Sequence, residues 1–181
     1  MADFPISILA PNVTIHPWAW ESIGVKLTGQ GGTTLPNAVS TAYPTANQAL
    51  YVPFCLTRPI IVAQLFWVNG ATVSGNVDAG IYSVDGVLLV STGSTAQAGT
   101  SVSQVVDITD TQLGTGLFYL AIAVDNTTAT LIRGTAGSVA RCAAMGCANQ
   151  GSAFPLPAPA TFATIASNYI PVFGLTTRSV F

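Results

Sequence analysis

Charge is what this sequence has least of. Lys, Arg, Asp and Glu make up 7% of its 181 residues, against about 25% in an ordinary soluble domain. The five basic residues, Lys26, Arg58, Arg133, Arg141 and Arg178, stand singly. No basic patch is left to neutralise a phosphate backbone, so nucleic acid is not expected as a partner. Long apolar runs are missing too, although the mean hydropathy is +0.55. The longest run, Pro59–Val68, is broken by Gln64 and falls well short of the ~20 residues a membrane-spanning helix needs. The first residues, "MADFPISILAPN", carry Asp3, no basic residue, and an apolar stretch interrupted by Pro5 and Ser7. They do not read as a secretory signal. The expectation is synthesis and folding in a cytoplasm with reduced thiols.

Catalytic groups are equally scarce. His16 and Glu21 are the sole residues of their kinds. A glycosidase needs two carboxylates flanking one bond, and the nearest pair, Asp107 and Asp110 in "DITD", sits at a strand end where a solvated turn is the ordinary reading. No Gly-x-Ser-x-Gly elbow is present. The run Gly29–Gly32, "GQGG", lacks the lysine and the strand–loop–helix setting of a phosphate loop. Cys142 and Cys147 in "RCAAMGC" lack the further Cys and His ligands of a zinc site. With Cys55 they are expected to be three buried free thiols. Asp107, Asp110 and Asp125 are the candidates for a weak calcium site. No enzyme activity, cofactor or metal is predicted.

What the sequence does contain is strand signals in series. Residues 1–48 are irregular, rich in Pro, Thr, Asn and Ser, and are read as an extended N-terminal arm with one or two short strands. Its apolar residues Ile8, Leu9, Val13, Ile15, Trp18 and Trp20 suit packing against its own domain or a neighbouring subunit. Residues 49–181 are assigned to one domain. Strands are expected at "LYVPFCL", where Pro53 implies an edge or a bulge, and at "IIVAQLFWV", apolar on both faces. In the latter, Ile61, Ala63, Leu65 and Trp67 are assigned to one face. Further strands are expected at "NVDAGIYSV", "VLLVSTG", "VSQVVDIT", "LFYLAIAVD" and "TLIRG", and one bent or two short ones in "FATIASNYIPVFGLTTR". Asn69-Gly70 is read as a turn, and Asp85-Gly86 as a two-residue type I′ hairpin turn or a longer loop. Only Gly137–Cys147 suits a helical turn, and "FPLPAPAT" is irregular. The spacing implies an all-β fold: an antiparallel two-sheet β-sandwich, jelly-roll-like. Trp67, Tyr82 and Tyr119 are read as core or sheet-covering residues rather than sugar-stacking ones.

Residues 79–82 ("AGIY"), 90–94 ("VSTGS") and 113–121 ("LGTGLFYLA") follow a pattern of the form VGIY–hairpin–V-STGS followed by L-G-G-YYLA. Over residues 49–130 the chain resembles small β-sandwich proteins encoded among the virion structural genes of tailed bacteriophages. The resemblance implies a non-enzymatic virion protein, located in the particle. The form expected is a capsid decoration or cement subunit. It forms a homo-oligomer, a trimer in the preferred form, and contacts the major capsid protein through apolar surface. The alternative is a tail or fibre module that recognises host-surface carbohydrate.

Overall fold

The computed structural model describes residues 13–14, 38–134 and 138–177. Among them are β1 (Val13–Thr14), β2 (Ala38–Ala42), β3 (Gln48–Leu56), β4 (Ile60–Val68), β5 (Asn76–Ser83), β6 (Leu88–Ser91), β7 (Thr95–Ala96), β8 (Ser103–Leu113), β9 (Gly116–Val124), β10 (Thr130–Gly134), β11 (Ala148–Gln150), β12 (Ala163–Thr164) and β13 (Phe173–Thr177). The helix α1 (Val139–Ala144) falls in the alanine-containing stretch where a helical turn was expected, capped by the Ser138 hydroxyl accepting from Arg141 N–H. The chain is mostly strand, and the pairings are antiparallel. It is an all-β protein.

The strands form three sheets. The large one has the order β12-β11-β3-β9-β5-β6, with β1 added to β3 and β7 to β5. A three-stranded sheet has the order β13-β4-β8, and β10 pairs with β2 as a ribbon. One core draws on all three: Leu50, Val77, Ile81 and Ile122 from the large sheet, Val62, Leu65 and Trp67 from the three-stranded sheet, and Leu131 from the ribbon. Each such side chain, fully buried, contributes about 1.5–3 kcal/mol. Alternation along β9 explains its two apolar faces. Phe118, Leu120, Ile122 and Val124 pack on this core, while Tyr119, Ala121 and Ala123 face a second cluster. That cluster is closed by Ala153, Phe154, Leu156, Ala160 and Phe162. The Pro-rich stretch is therefore a strap across the outer face of the large sheet. Small residues on the sheet make room for it: a Cβ on Gly80 would meet Leu156 Cδ1 at 2.8 Å.

Three local expectations change. In β4 the buried side chains are Ile60, Val62, Leu65 and Trp67, because the register with β8 shifts between Val62 and Gln64. A bulge there puts Val62 and Leu65 on one face, where strict alternation separates them. The β5–β6 turn is the longer loop of the two alternatives, with three residues, and not type I′. Ser83 N–H donates to Val87 O, Gly86 N–H to Ser83 O, and at the turn only Gly86 has positive φ (+80°). Type I′ needs two such residues, whereas a type I turn followed by a left-handed glycine needs one. Asn69-Gly70 is not a turn either. Asn69 bridges to Leu131, Gly70 N–H donates to Thr130 O, and Asn69 is completely buried.

Pro53 occupies a local edge, as expected. It lies between the part of β3 that pairs with β11 (Ala49–Tyr51) and the part that pairs with β1 (Cys55–Leu56), so the missing N–H leaves no partner stranded. Residues 38–48 are tied into the fold. β2 pairs with β10, and Tyr43 is buried in the main core with its hydroxyl donating to Gln48 O and Ile122 O. The final segment supplies two short strands, β12 and β13, rather than one bent one.

Candidate functional site

Of the six arm residues expected at an interface, Ile8, Leu9, Ile15, Trp18 and Trp20 lie outside the described residues, as do His16, Glu21 and the run Gly29–Gly32. Val13 is in β1, with Leu56 as its register partner. The calcium candidates do not converge. Asp107 accepts from Gln64 Nε2 at 2.6 Å on the three-stranded sheet. Asp125 follows the end of β9 in another sheet, bonded by Asn126 and Asn76. Among the described residues no group of three or more His, Cys, Asp or Glu side chains could hold a metal ion.

The thiols differ from expectation at one position: Cys55 is exposed, while Cys142 and Cys147 are buried. All three are free. Burial, reinforced by the neighbouring Cys142, pushes the Cys147 thiol up to about 12. Burial also raises Cys142. Both therefore stay protonated at neutral pH, the opposite of what a nucleophile or metal ligand requires.

The buried polar groups serve the backbone. Asn69 Oδ1 accepts from Trp67 Nε1 (2.9 Å) and Gln97 Nε2 (3.0 Å). Its Nδ2 donates to Ala98 O, Gly99 O and Gln104 Oε1. This hub fixes the loop between β7 and β8, which has little apolar anchorage of its own. Asp78 is 1% exposed beneath the strap. Its carboxylate accepts from Leu156 N–H at 2.9 Å and from the Thr92 hydroxyl at 3.3 Å. Burial raises its pKa, and these bonds oppose the rise. Beside it, Tyr51 stacks edge-on against Tyr82 and Phe162, and the Tyr82 hydroxyl donates to Pro157 O. Burial pushes the Tyr51 phenol up to about 12. Trp67 and Tyr82 are buried and Tyr119 is partly so. No described Trp or Tyr is exposed, so a sugar-stacking platform is not found among them. Asn126 accepts from Thr128 and Ala129 N–H in its own turn, and Asn149 is buried.

Several large apolar side chains remain on the outside. On the outer face of the three-stranded sheet, Phe66 has Gly174 and Val105 as register neighbours, and Val68 has Ser103. The Phe66 ring lies over Gly174, where a Cβ would meet it at 2.7 Å. Val105 is 50% exposed. A second set, Val84, Val87 and Leu117, is exposed near one end of the large sheet, since Ser83 pairs with Phe118. Sequence reasoning missed both sets: the outer face of β4 was expected to be covered, and nothing marks which valines of a β-protein face water.

One cation stands apart. Arg133 on β10 places its Cζ 5.2 Å from the centroid of the Tyr169 ring. Its Nε and Nη1 are buried without a hydrogen-bond partner among the described residues. Burial raises the Tyr169 pKa, and the guanidinium pulls it back.

No protein-family model matches the chain, and neither a curated protein nor a solved structure is significantly similar to it. The likeness to phage virion sandwiches therefore rests on the motifs in residues 79–82, 90–94 and 113–121.

Proposed function

We propose that this chain is a non-enzymatic structural subunit of a tailed-phage virion, of the capsid decoration or cement type. In this reading it is built as a jelly-roll-like sandwich and associates with copies of itself and with the shell through apolar surface. The sandwich reading is supported by the core shared between the large and the three-stranded sheets and by the proximity of their strands β6 and β8. The observation that carries the function is the outer face of β13-β4-β8, where half-buried Phe66 and Val68 and exposed Val105 stand beside Gln64, Thr176 and a single acid, Asp107. Contiguous apolar patches on soluble chains mark contact sites. Low charge also removes the repulsion that keeps copies apart. The buried Asn69 and Asp78 are consumed in holding the β7–β8 loop and the strap.

Light scattering over a micromolar concentration series tests the assembly. The expectation is a stable oligomer, a trimer in the preferred form, that Val105→Glu weakens without lowering the thermal midpoint of the subunit. A wild-type chain that stays monomeric refutes it. Co-sedimentation with particles, followed by separation of heads from tails, tests the location. Glycan-dependent binding abolished by Trp18→Ala with folding intact would favour the carbohydrate-recognising fibre module instead.

A further inference from the structure

We propose that Cys142 and Cys147 are a preformed disulfide site, closed by a small oxidant such as hydrogen peroxide and reopened by thiols. The inference is independent of the assembly reading. The helix α1 ends in a pair of reversed hydrogen bonds. Gly146 N–H donates to Ala143 O at 3.0 Å, and Cys147 N–H donates to Cys142 O at 3.0 Å. Gly146 takes the left-handed conformation (φ +80°) that this ending requires. Spacing alone does not make the pair, since residues five apart on a continuing helix point to different faces. The ending folds the chain back, so the two residues joined by its outer bond meet, commonly with their side chains in contact. Here both are cysteines. The bond from Cys147 N–H to Cys142 O holds their Cα atoms within ~7 Å, and a disulfide spans about 4.4–6.8 Å. Both thiols are free and buried in the same core. They are near enough that Cys142 adds to the rise of the Cys147 thiol.

Burial sets the rate of closure rather than its outcome. Both sulfurs face the core from a short surface helix and its ending. Ser138, Val139, Ala140, Arg141, Ala144 and Gly146 are exposed. A helix of six residues is marginal by itself and opens more readily than the sheets beneath it. In the opened turn each thiol returns towards its ordinary pKa. The Cys147 thiolate then attacks one oxygen of hydrogen peroxide and the O–O bond breaks. Hydroxide leaves, takes up a proton as water, and the sulfur is left as a sulfenic acid. The Cys142 thiolate attacks that sulfur, the S–O bond breaks, and a second hydroxide leaves as water. Two thiols and one peroxide thus give one disulfide and two waters. Cys147 leads directly into β11, where Gln150 Oε1 accepts from the Tyr51 hydroxyl and from Thr161 N–H. The closed disulfide therefore pins the start of the strand that holds one foot of the strap.

The test uses the full chain carrying Cys55→Ser, which removes the exposed thiol and leaves both buried ones in place. The folded protein is held with hydrogen peroxide, then alkylated in denaturant and weighed by mass spectrometry. The expected product has lost two hydrogens, takes up no alkylating agent, and regains both thiols with dithiothreitol. Glutathione redox buffers then compare the folded chain with the chain in urea. A fold that brings the sulfurs together raises the equilibrium constant for closure at least tenfold over the unfolded chain. By linkage the oxidised protein then melts at least about 3 °C above the reduced one. Gly146→Ala, which disfavours the left-handed ending, is expected to narrow both differences. Thiols that stay open to alkylation, sulfinic acid in place of the disulfide, an equal equilibrium constant in urea, or an oxidised protein that melts lower overturns the site. Unchanged differences in Gly146→Ala overturn the helix ending as its cause.

Discussion

Removing the Asn69 side chain is the sharpest probe of how this fold holds its loops. In Asn69→Ala the buried Trp67 Nε1–H loses its acceptor, since Asn69 Oδ1 is the one it has. An orphaned buried donor costs about 1–3 kcal/mol. Gln97 Nε2 keeps Thr130 O, and Gln104 Oε1 keeps Ala98 N–H, so these two lose less. The carbonyls of Ala98 and Gly99 also lose a donor, but both residues are exposed and water replaces it, at the low end of about 0.5–1.5 kcal/mol each. The sum is about 3 kcal/mol, or roughly 6–12 °C in Tm for a domain of this size. Urea denaturation with a matched thermal melt measures it. The mechanism makes a second demand. In a Trp67→Phe background there is no indole N–H to orphan, so Asn69→Ala should cost about 1–2 kcal/mol less there. Asn69→Asp should be worse than alanine at pH 7, because a buried carboxylate would face two carbonyl oxygens, and should recover as acid protonates it. A Tm drop under about 3 °C for Asn69→Ala, or equal costs in both backgrounds, would refute the hub as the anchor of the β7–β8 loop.

Three further outcomes are expected. Asp78 has its folded pKa raised by burial, so the folded state binds the proton more tightly. Its contribution to stability is present below the unfolded pKa and lost as pH rises through the folded value. The Tm of Asp78→Asn minus that of wild type should therefore become more positive between pH 4 and pH 7, and a trend in the other direction counts against the burial cause. Gly80→Val should destabilise by about 1–3 kcal/mol through overpacking against Leu156, and Leu156→Ala should relieve part of that cost; unchanged Tm in Gly80→Val rejects the strap contact. A thiol reagent at pH 8 should modify Cys55 quickly and Cys142 and Cys147 only on unfolding, read by mass spectrometry; rapid labelling of either buried cysteine contradicts their placement.

The strands were legible because period-two alternation and turn residues survive in the sequence. β4 spans Ile60–Val68 and β10 Thr130–Gly134, the stretches the pattern marked. What stayed hidden depends on contacts between distant residues. A bulge at Val62/Gln64 leaves little local mark, because both registers of "IIVAQLFWV" are largely apolar, with Gln64 the one polar residue. Asn69-Gly70 has the composition of a hairpin turn, but Asn69 is consumed by Trp67, Gln97 and Gln104. Tertiary partners there outweigh local preference. The strap was read as irregular, which it is, but nothing in "FPLPAPAT" says that it roofs a sheet. The clue lies on the sheet instead, where Gly80, Ala121 and Ala123 are too small to form an outer surface by themselves.

That roof bears on the shortage of charge. A sheet with one face in the core and the other in water alternates apolar with polar residues. Here the large sheet is covered on both faces, so β3, β5 and β9 have almost no water-facing positions to fill with charge, and low charge there follows from the fold alone. The three-stranded sheet differs. Its inner face meets the main core, and on its outer face Phe66, Val68 and Val105 alternate with Gln64, Ser103 and Asp107, so apolar residues hold part of a face that elsewhere is polar. If that face were finally solvated, substituting Val105 with Glu would be neutral for every property of the chain. A loss of self-association with the subunit's melting point unchanged separates a surface kept apolar for a partner from one that merely drifted there.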